Sequence, residues 1–518
     1  MDLTIAVTGA GSELQGVGRA PDGRAVFVPG ALPGETVSCR VLEEKERYLT
    51  ARLLQVGTAS PRRRLSPCPY AGQCGGCTAL HMDYEYSLDL KRERVEQALR
   101  RIGGIEAPVV SPVLGAAEPF RGRNKAEYAI AEGRIGLRQA GSREIVEIRD
   151  CLAQHPLSIQ AMRRVRAWLK NAPAFTGYLV TRVNGSGELM CILSGDRLPD
   201  ITGLPDILPS LVSLYTCRLA SRPAHALYGH CTLVWGAEKL RDTLCGLFFD
   251  LHPQSFFQVN RAQAERLYGA ALEMARLEPS EAMLDAYCGV GTITLCMAKR
   301  CASALGVEIL EPAVRDAILN ARLNGLSHKT TFHCADAAKL LPSLLSTGDQ
   351  VDVVVLDPPR KGVDQSLTRA LLASGVPRIV YVSCDPATLA RDIGRLSPMY
   401  RLERVQPVDM FPWTGHVETC VLLSKIDVDK HIKVEIEMDE LDLTAVESKA
   451  TYPQIKEYVS NKFGLKVSSL YIAQVKRKCG IEVGENYNIS KKENSRVPQC
   501  TPEKREAIMD ALRYFGMI

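Results

Sequence analysis

The chain has 518 residues and a formal net charge of +5, so it is too long for one ordinary core and predicts two to four domains. Its mild basicity permits a polyanionic partner without demonstrating one. The first residues lack the basic and apolar stretches of a secretory signal, and no apolar run has bilayer length. These absences argue against exported and membrane-spanning classes, and we expect a cytoplasmic protein without membrane contact.

The first 57 residues predict a small β-barrel. Short β-rich runs are separated by glycine turns, a spacing typical of such barrels. The runs are Ala25–Pro29, Thr36–Leu42 and Tyr48–Val56. A β-subdomain without any binding role is the alternative. The basic tract from Arg62 to Arg64 follows directly, and it could hold phosphates or could be an ordinary solvated surface.

Residues 58–255 predict a mixed α+β central domain. A helix is expected over Tyr84–Arg101, and strand-like runs follow it at Lys125–Ala131, Tyr178–Val183 and Glu188–Leu193. The chain contains 17 cysteines, which without a secretory signal are better interpreted as thiols and metal ligands than as disulfides. Three of them, Cys68, Cys74 and Cys77, lie close together in a loop-rich segment. Clustered thiolates suit zinc or an iron–sulfur cluster, and the spacing alone does not choose between them.

From residue 256 to residue 426 the pattern predicts a doubly wound α/β sheet. Asn260 is the expected N-cap of a helix that ends near Leu277. Apolar runs rich in valine, isoleucine and leucine then alternate with helical patterns. The runs are Met283–Tyr287, Ala304–Glu308, Thr331–Cys334, Val351–Leu356 and Arg378–Ser383. Two later runs, Tyr400–Pro407 and Glu418–Ser424, would close the edge as an antiparallel hairpin, making seven strands.

Residues 427–518 predict a small, mostly helical C-terminal module. Alternating apolar and charged residues at 432–436 indicate one strand. A capping box at Thr451–Gln454 and an N-cap with proline at Thr501–Pro502 indicate helix starts. Acidic and basic residues roughly balance here, so the segment shows no electrostatic footprint and we assign it no role.

Two features of the predicted sheet indicate a nucleoside site. Gly289 and Gly291 lie in the turn after the first strand, where glycine lets the backbone approach a ligand. Glu308 ends the second strand, where a carboxylate can accept hydrogen bonds from both hydroxyls of a ribose. The glycines alone could form a structural turn, but together with Glu308 at this spacing they favour a nucleoside cofactor.

Two further polar residues end later strands of the sheet. Asp357 opens a rigid Asp-Pro-Pro-Arg loop after the fourth strand. Cys384 follows the fifth strand, so it should share a rim with Asp357. A buried core cysteine is the usual alternative, but a turn before a helix is more exposed and favours a thiolate. Glu418 begins the last strand and alone would be interpreted as a strand-end charge.

Taken together, these stretches resemble the RNA 5-methyluridine methyltransferases of the TrmA/RumA type. The matches, in the family's order, are Phe256–Asn260, LDAYCGVGT, GVE, DPPRKG, VSCDP and HVET. With the N-terminal features, the likeness covers roughly residues 1–425. It implies a class I, Rossmann-like methyltransferase sheet, an oligonucleotide-binding-like TRAM barrel and RNA as the partner. We expect a monomer.

The resemblance also implies site residues. Those expected to contact S-adenosylmethionine are Gln258, Tyr287, Glu308 and Asp357. Cys384 would be the nucleophile and Glu418 the base. A [4Fe–4S] cluster would be held by Cys68, Cys74, Cys77 and Cys151. Members with both a barrel and a cluster act mainly on large-subunit rRNA, so 23S rRNA is the first expected substrate and tRNA the second.

Two other classes of function remain as alternatives. One is methylation of another RNA base. Amino-group enzymes carry an aromatic residue where this chain has Arg360, and 5-methylcytidine enzymes typically carry a cysteine in the loop where it has Asp357. The other is a catalytically silent RNA-binding or RNA-folding protein that keeps an iron–sulfur cluster. Retention of both Cys384 and Glu418 argues against it.

Overall fold

The computed structural model describes residues 1–220, 225–346, 350–426, 452–465, 467–479 and 500–515. The chain divides into two compact units, Met1–Val428 and Asp429–Ile518. Within the described ranges, no helix combines the length and apolar character needed to span a membrane.

Five N-terminal strands close into the predicted barrel, in the order β1-β2-β3-β5-β4. They are β1 (Asp2–Ala10), β2 (Gly16–Arg19), β3 (Ala25–Val28), β4 (Thr36–Glu44) and β5 (Tyr48–Thr58). Side chains along β1 alternate between exposed and buried positions, as the two-residue period of a strand requires. The inward-facing valines and isoleucine fill the interior of the barrel.

A seven-stranded sheet follows, in the order β12-β11-β10-β9-β6-β7-β8. Its strands are β6 (Lys125–Ala131), β7 (Arg134–Arg138), β8 (Ile145–Val146), β9 (Gly177–Val183), β10 (Leu189–Gly195), β11 (Leu211–Leu219) and β12 (Gly229–Gly236). Helix α1 (Tyr84–Arg101) precedes this sheet, and α2 (Pro156–Leu169) packs on it. A separate hairpin comprises β13 (Leu240–Leu244) and β14 (Leu247–Leu251).

The second seven-stranded sheet has the order β17-β16-β15-β18-β19-β21-β20. Its strands are β15 (Ala282–Asp285), β16 (Ser303–Glu308), β17 (Thr330–Cys334), β18 (Val353–Leu356), β19 (Arg378–Ser383), β20 (Tyr400–Val408) and β21 (Glu418–Lys425). The helices are α3 (Arg261–Ala275), α4 (Thr292–Ala298), α5 (Glu311–Leu323), α6 (Ala337–Ser346), α7 (Gln365–Ser374) and α8 (Pro386–Leu396). Apolar clusters cover both faces, which is why the central strands are almost continuously hydrophobic.

The predicted helix cap and hairpin are both present. The Asn260 side chain accepts a hydrogen bond from the backbone N–H of Gln263 at the start of α3. Helix α3 ends at Ala275, two residues before the predicted position, because Arg276 adopts the left-handed conformation at φ 45°. Strand β21 runs antiparallel between β19 and β20.

Topology places ligand-binding positions at one rim of this sheet. Strands β16 and β17 lie on one side of β15, and β18 and β19 lie on the other, so the strand order reverses beside β15. Open α/β sheets bind ligands outside the carboxyl ends of the strands at such a reversal. Because β21 is antiparallel, its first residue, Glu418, lies at the same rim.

The second unit is described by itself. Its helices are α9 (Tyr452–Phe463), α10 (Ser469–Lys478) and α11 (Pro502–Tyr514), which share an apolar core that includes Ile455, Ile472 and Ile508. Thr501 is the N-cap of α11 and Pro502 its first residue, as predicted. The strand predicted at residues 432–436 and the start of the capping box at Thr451 lie outside the described residues.

Candidate active site

The turn after β15 is shaped for close approach of a ligand. Gly289 and Gly291 have φ values of +53° and +87°, a region that favours glycine. Gly291 is also the N-cap of α4, so the first amides of that helix face the turn. Asp285 is fully buried; its carboxylate accepts hydrogen bonds from the Thr294 hydroxyl (2.7 Å) and the Tyr287 amide (3.2 Å). The Asp285 side chain therefore holds the glycine turn in place through hydrogen bonds.

Glu308 ends β16 directly opposite that turn. Its two carboxylate oxygens accept hydrogen bonds from the backbone N–H groups of Gly289 (3.2 Å) and Leu310 (2.9 Å). The carboxylate thus lies beside the glycine turn, where a ribose could take over these interactions. Burial is the main reason that the pKa of the nearby Tyr287 phenol is raised. The negative charges of Asp364 and Asp336 raise it further.

Gln258 and Asp357 meet around one residue that the sequence did not single out. Tyr268 of α3 is buried, its hydroxyl lies 3.4 Å from the Thr292 hydroxyl, and Gln258 and the charge of Asp357 both influence its pKa. Tyr268 therefore lies close enough to both the segment before α3 and the loop after β18 for both to affect its pKa. A buried tyrosine in a helix pattern gives no sequence signal beyond that of core packing.

Cys384 and Glu418 lie opposite each other across two strands. Ser383 of β19 pairs with Thr419 of β21 in antiparallel register, so the next residue of one strand faces the preceding residue of the other. Glu418 is only 6% exposed, whereas Cys384 is half-buried. Among the described residues, no hydrogen bond or ion pair engages the Glu418 carboxylate.

The rim disfavours negative charge. Burial raises the pKa of Glu418 to about 8, and the carboxylate of Asp357 adds to that rise. Burial also raises the pKa of Asp357 to about 7, with a contribution from Asp285. Burial raises the pKa of the Cys384 thiol to about 11, with Glu418 as the next cause. The Arg360 guanidinium opposes the rise at both Cys384 and Glu418.

Three protein-family models match segments of the chain. The TRAM domain matches residues 2–54, the extent of the barrel. The tRNA (uracil-5-)-methyltransferase family matches residues 341–426, which include Cys384 and Glu418. The RNA cap guanine-N2 methyltransferase family matches residues 280–371, which include the glycine turn.

Full-length relatives extend the match. An uncharacterized RNA methyltransferase from Halalkalibacterium halodurans is 39% identical over 426 residues, 78% of this chain and 92% of the relative. One from Clostridium tetani is 36% identical over 441 residues, 81% and 95% of the two chains. The Pyrococcus abyssi tRNA (uracil-54, C5)-methyltransferase, solved with S-adenosyl-L-homocysteine, is 28% identical; the match covers 81% of this chain and all of that one, at a TM-score of 0.65. This chain belongs to the RNA uracil-5-methyltransferase family.

The methyltransferase is thus an S-adenosylmethionine-dependent enzyme that acts on RNA and carries an N-terminal TRAM barrel. The family confirms the predicted methyltransferase sheet, barrel, methyl donor and class of substrate. It also decides against the catalytically silent protein.

The four cysteines proposed as ligands line one cavity of the methyltransferase, about 530 Å³ in volume. They are Cys68, Cys74, Cys77 and Cys151. Burial raises the pKa of Cys77 to about 12, and the charges of Cys151 and Cys74 add to it. Burial and neighbouring thiols raise the pKa of Cys74 and Cys151 in the same direction. Four sulfur donors in one cavity fit a soft metal or a cluster.

The same cavity reaches the loop before Glu418, because Met410, Phe411 and Thr414 also line it. Over the part of the chain that the structure describes, no three His, Cys, Asp or Glu side chains are arranged closely enough to hold a metal ion. The cluster therefore remains a prediction.

The basic tract of the methyltransferase is largely engaged within the protein. Arg63 donates bidentately to the buried Glu35 carboxylate, at 2.5 and 2.7 Å. Arg64 pairs with Asp83 at 2.6 Å. Arg62 is 4.0 Å from the same carboxylate and half exposed. Arg63 is thus a structural link between barrel and central segment rather than a free phosphate ligand, a role that a run of three arginines does not reveal.

Proposed function

We propose that the enzyme methylates C5 of a uridine through a covalent bond between Cys384 and C6 of the uracil. The thiolate adds to C6, the C5–C6 π electrons move into an enolate, and C5 becomes nucleophilic. S-adenosylmethionine supplies the methyl group on a sulfonium. Glu418 takes the C5 proton, the double bond re-forms, and Cys384 leaves as a thiolate. Atoms and charge balance, because the sulfonium becomes the neutral thioether of S-adenosylhomocysteine while the Glu418 carboxylate ends protonated.

One observation carries this proposal. The register of β19 and β21 sets Cys384 opposite Glu418 at the rim where the glycine turn and Asp357 also lie. A nucleophile for C6 and a base for C5 must act on adjacent ring atoms, which needs two side chains on one small site. Arg360 supports both, because its charge favours the thiolate and the carboxylate.

Four side chains are proposed to hold S-adenosylmethionine. Glu308 would accept hydrogen bonds from the ribose hydroxyls, and Tyr287 would line the nucleoside pocket beside the glycine turn. Gln258 and Asp357, which both affect the pKa of Tyr268, would contact the part nearer the methyl group.

For the RNA, 23S rRNA is the leading candidate, in the cytoplasm. A flipped or single-stranded uridine is required, because Cys384 and Glu418 must reach C6 and C5 of a base that stacking in a duplex would cover. Transfer RNA is the second candidate. The similarity to the Pyrococcus tRNA enzyme favours it, although that substrate belongs to the relative.

We also propose that Cys68, Cys74, Cys77 and Cys151 hold a [4Fe–4S] cluster. When bound, the cluster would fix the cysteine segment, and no catalytic step passes through it. Anaerobically purified protein should be brown, with iron and acid-labile sulfide in roughly equal amounts. Replacing Cys74 with Ser should bleach it and lower its solubility. Stoichiometric zinc without sulfide would contradict this assignment.

The proposed domains are the barrel (1–57), the cluster-bearing central domain (58–255), the methyltransferase domain (256–426) and the C-terminal extension (427–518). Each sheet falls within one range, except that β5 runs on to Thr58.

Two experiments test the function. Release of tritium from uracil-5-tritiated RNA reports C5 substitution directly, and its absence during methyl incorporation would exclude the reaction. Mapping the methyl groups lost from 23S rRNA and from tRNA of a deletion strain then identifies the substrate.

A third experiment tests the covalent step. In the Glu418→Gln variant, addition and methyl transfer can proceed but the C5 proton lacks its base. A denaturing gel with labelled RNA should therefore show a stable protein–RNA adduct, which disappears when Cys384 is also replaced by Ala. Normal turnover by Glu418→Gln would overturn the assignment.

A further inference from the structure

A fully buried ion pair lies beneath the rim. The Lys91 ammonium of α1 lies 2.5 Å from the Asp409 carboxylate, and neither side chain has exposed surface. The Tyr84 hydroxyl donates to the other carboxylate oxygen at 2.7 Å. Burial lowers the pKa of Lys91, and the charge of Asp409 opposes that effect. Replacing such pairs with apolar side chains often leaves stability unchanged or improves it. Stability alone is therefore a weak reason for these charges.

Asp409 is the first residue of the segment that leads to Glu418. Strand β20 ends at Val408 and β21 begins at Glu418, so residues 409–417, here called the base loop, have no sheet ladder of their own. The Lys91 ammonium also donates to the carbonyl of Phe411 at 3.2 Å. Lys91 thus contacts both a side chain of the base loop, that of Asp409, and a backbone oxygen, that of Phe411.

Other contacts hold the far half of the base loop. The Arg94 guanidinium, one helical turn from Lys91, donates to the Gly415 carbonyl at 2.7 Å and to Ser12 of the barrel at 3.0 Å. The amides of Thr78 and Ala79 donate to the Trp413 carbonyl at 2.9 and 3.0 Å. Trp413 itself has a φ of +64°, in the left-handed region. Contacts from outside the loop therefore set its path.

The base loop also joins the segment of the proposed methyl-donor contacts. The Gln263 side chain donates to the Asp409 carbonyl at 3.0 Å and to the Leu114 carbonyl at 2.9 Å. The Asn260 amide donates to the Met410 carbonyl at 3.3 Å. Asn260 follows Gln258 by two residues, so the base loop is hydrogen-bonded to the segment that leads from Gln258 into α3.

We propose that Lys91 and Asp409 are positioning residues for the last step of the reaction, holding the base loop so that Glu418 reaches the C5 proton. This inference rests on the proposed function. Neither residue touches the reacting atoms; they act through the loop. A displacement of about 1 Å in a catalytic group can cost on the order of 100-fold in rate. A loop without regular structure can shift that far when its buried anchor is lost.

The test separates methyl transfer from resolution of the adduct. Lys91→Met should slow adduct breakdown by about tenfold or more in single-turnover experiments. Methyl transfer and the KM for RNA should change by less than about twofold. Tyr84→Phe, which removes one hydrogen bond to Asp409, should give the same effect at smaller size. Arg378→Met is the control, because Arg378 forms a partly buried ion pair with Glu281 at the opposite end of β19.

A double variant guards against simple unfolding. In Lys91→Met alone, the buried Asp409 carboxylate would lose its counter-charge. Lys91→Met/Asp409→Asn removes that carboxylate charge and keeps an acceptor for the Tyr84 hydroxyl, so the double variant should fold. Persistent adduct in this folded variant would support positioning. Normal adduct breakdown in it, or equal slowing of methyl transfer and breakdown in Lys91→Met, would overturn the inference. If Glu418→Gln itself accumulates no adduct, the proposed function has failed instead.

Discussion

The sheet rim and the cysteine cavity both collect buried groups that resist negative charge, but they differ in what balances it. At the rim, Arg360 offsets the rise in the pKa of Cys384 and Glu418. In the cavity, burial and the neighbouring thiols dominate, and the charge of Arg123 only partly opposes them at Cys77. One thiol beside a cation suits a nucleophile. Several neighbouring thiols that resist ionisation can become thiolates together only when a bound cation offsets their charge, which suits metal ligands.

The two regions also meet. Thr78 and Ala79 directly follow Cys77, and their amides bind the Trp413 carbonyl of the base loop. Damage to the cavity can therefore reach Glu418 through the backbone, although no cysteine of the cavity takes part in the reaction. Variants of the rim and of the cavity can therefore distinguish a direct role in the reaction from an indirect one.

The largest expected effect is at the rim. Cys384→Ala should reduce methylation by about 10⁴-fold or more, because no covalent step remains, and it should keep the metal content of the unaltered enzyme. Cys74→Ala should do the reverse, losing metal while still forming some adduct with 5-fluorouridine RNA. Methyl incorporation, metal analysis and denaturing gels compare the two. Methylation by Cys384→Ala near the normal rate would show that Cys384 is not the nucleophile.

Arg360→Gln should shift the pH dependence. Glu418 and Cys384 must both be deprotonated, and the arginine charge lowers the pKa of each. Removing that charge raises both pKa values, so activity at neutral pH should fall, by about tenfold for each unit of pKa change. The rising limb of the profile should reflect both groups, Glu418 near pH 8 and the Cys384 thiol near pH 11, and both inflections should move to higher pH. Lys361→Gln, the adjacent cation, is the matched control. An unchanged profile would mean that Arg360 does not tune the rim.

A smaller effect is expected at the nucleoside end of the rim. Glu308→Gln should weaken binding of S-adenosylhomocysteine by about tenfold, since the charge-assisted hydrogen bonds from the ribose hydroxyls become neutral or are lost. Adduct formation at saturating methyl donor should persist. Calorimetry measures the affinity, with Glu311→Gln, an exposed glutamate in the first turn of α5, as control. Equal affinity in both variants would place the ribose elsewhere.

Local pattern accounts for what the sequence predicted well. Helix α1 and strands β6 and β19 have the predicted bounds, because their apolar periodicity is strong. The number of strands and the closing antiparallel hairpin followed from the alternation of strands and helices. Strand β18 begins at Val353, two residues later than predicted, and Asp352 before it forms hydrogen bonds with Ala282 of β15.

Pairing between distant residues could not be predicted in the same way. Lys91 and Asp409 are 318 positions apart, and a lysine within a charged helix predicts an exposed side chain. The Arg63–Glu35 pair was missed for the same reason. A single sequence shows periodicity and local chemistry. It does not show which buried charge finds which partner.

The smallest effect is expected from the largest deletion. The chain divides after Val428, and every residue assigned to the rim or the cavity precedes that point. Truncation there should leave methylation of a short RNA fragment within about twofold, far less than the loss of one sulfur atom at Cys384.

The fragment and the intact rRNA distinguish the possible roles of the deleted unit. If activity falls only on intact rRNA, the C-terminal helices dock the enzyme on its substrate. If a folded truncated protein also loses activity on the fragment, the C-terminal helices are needed for the reaction itself. The rim and the cavity alone would then not account for the activity. Equal activity on both substrates would leave the helices without a part in this reaction, which agrees with a unit that has its own apolar core around Ile472 and Ile508.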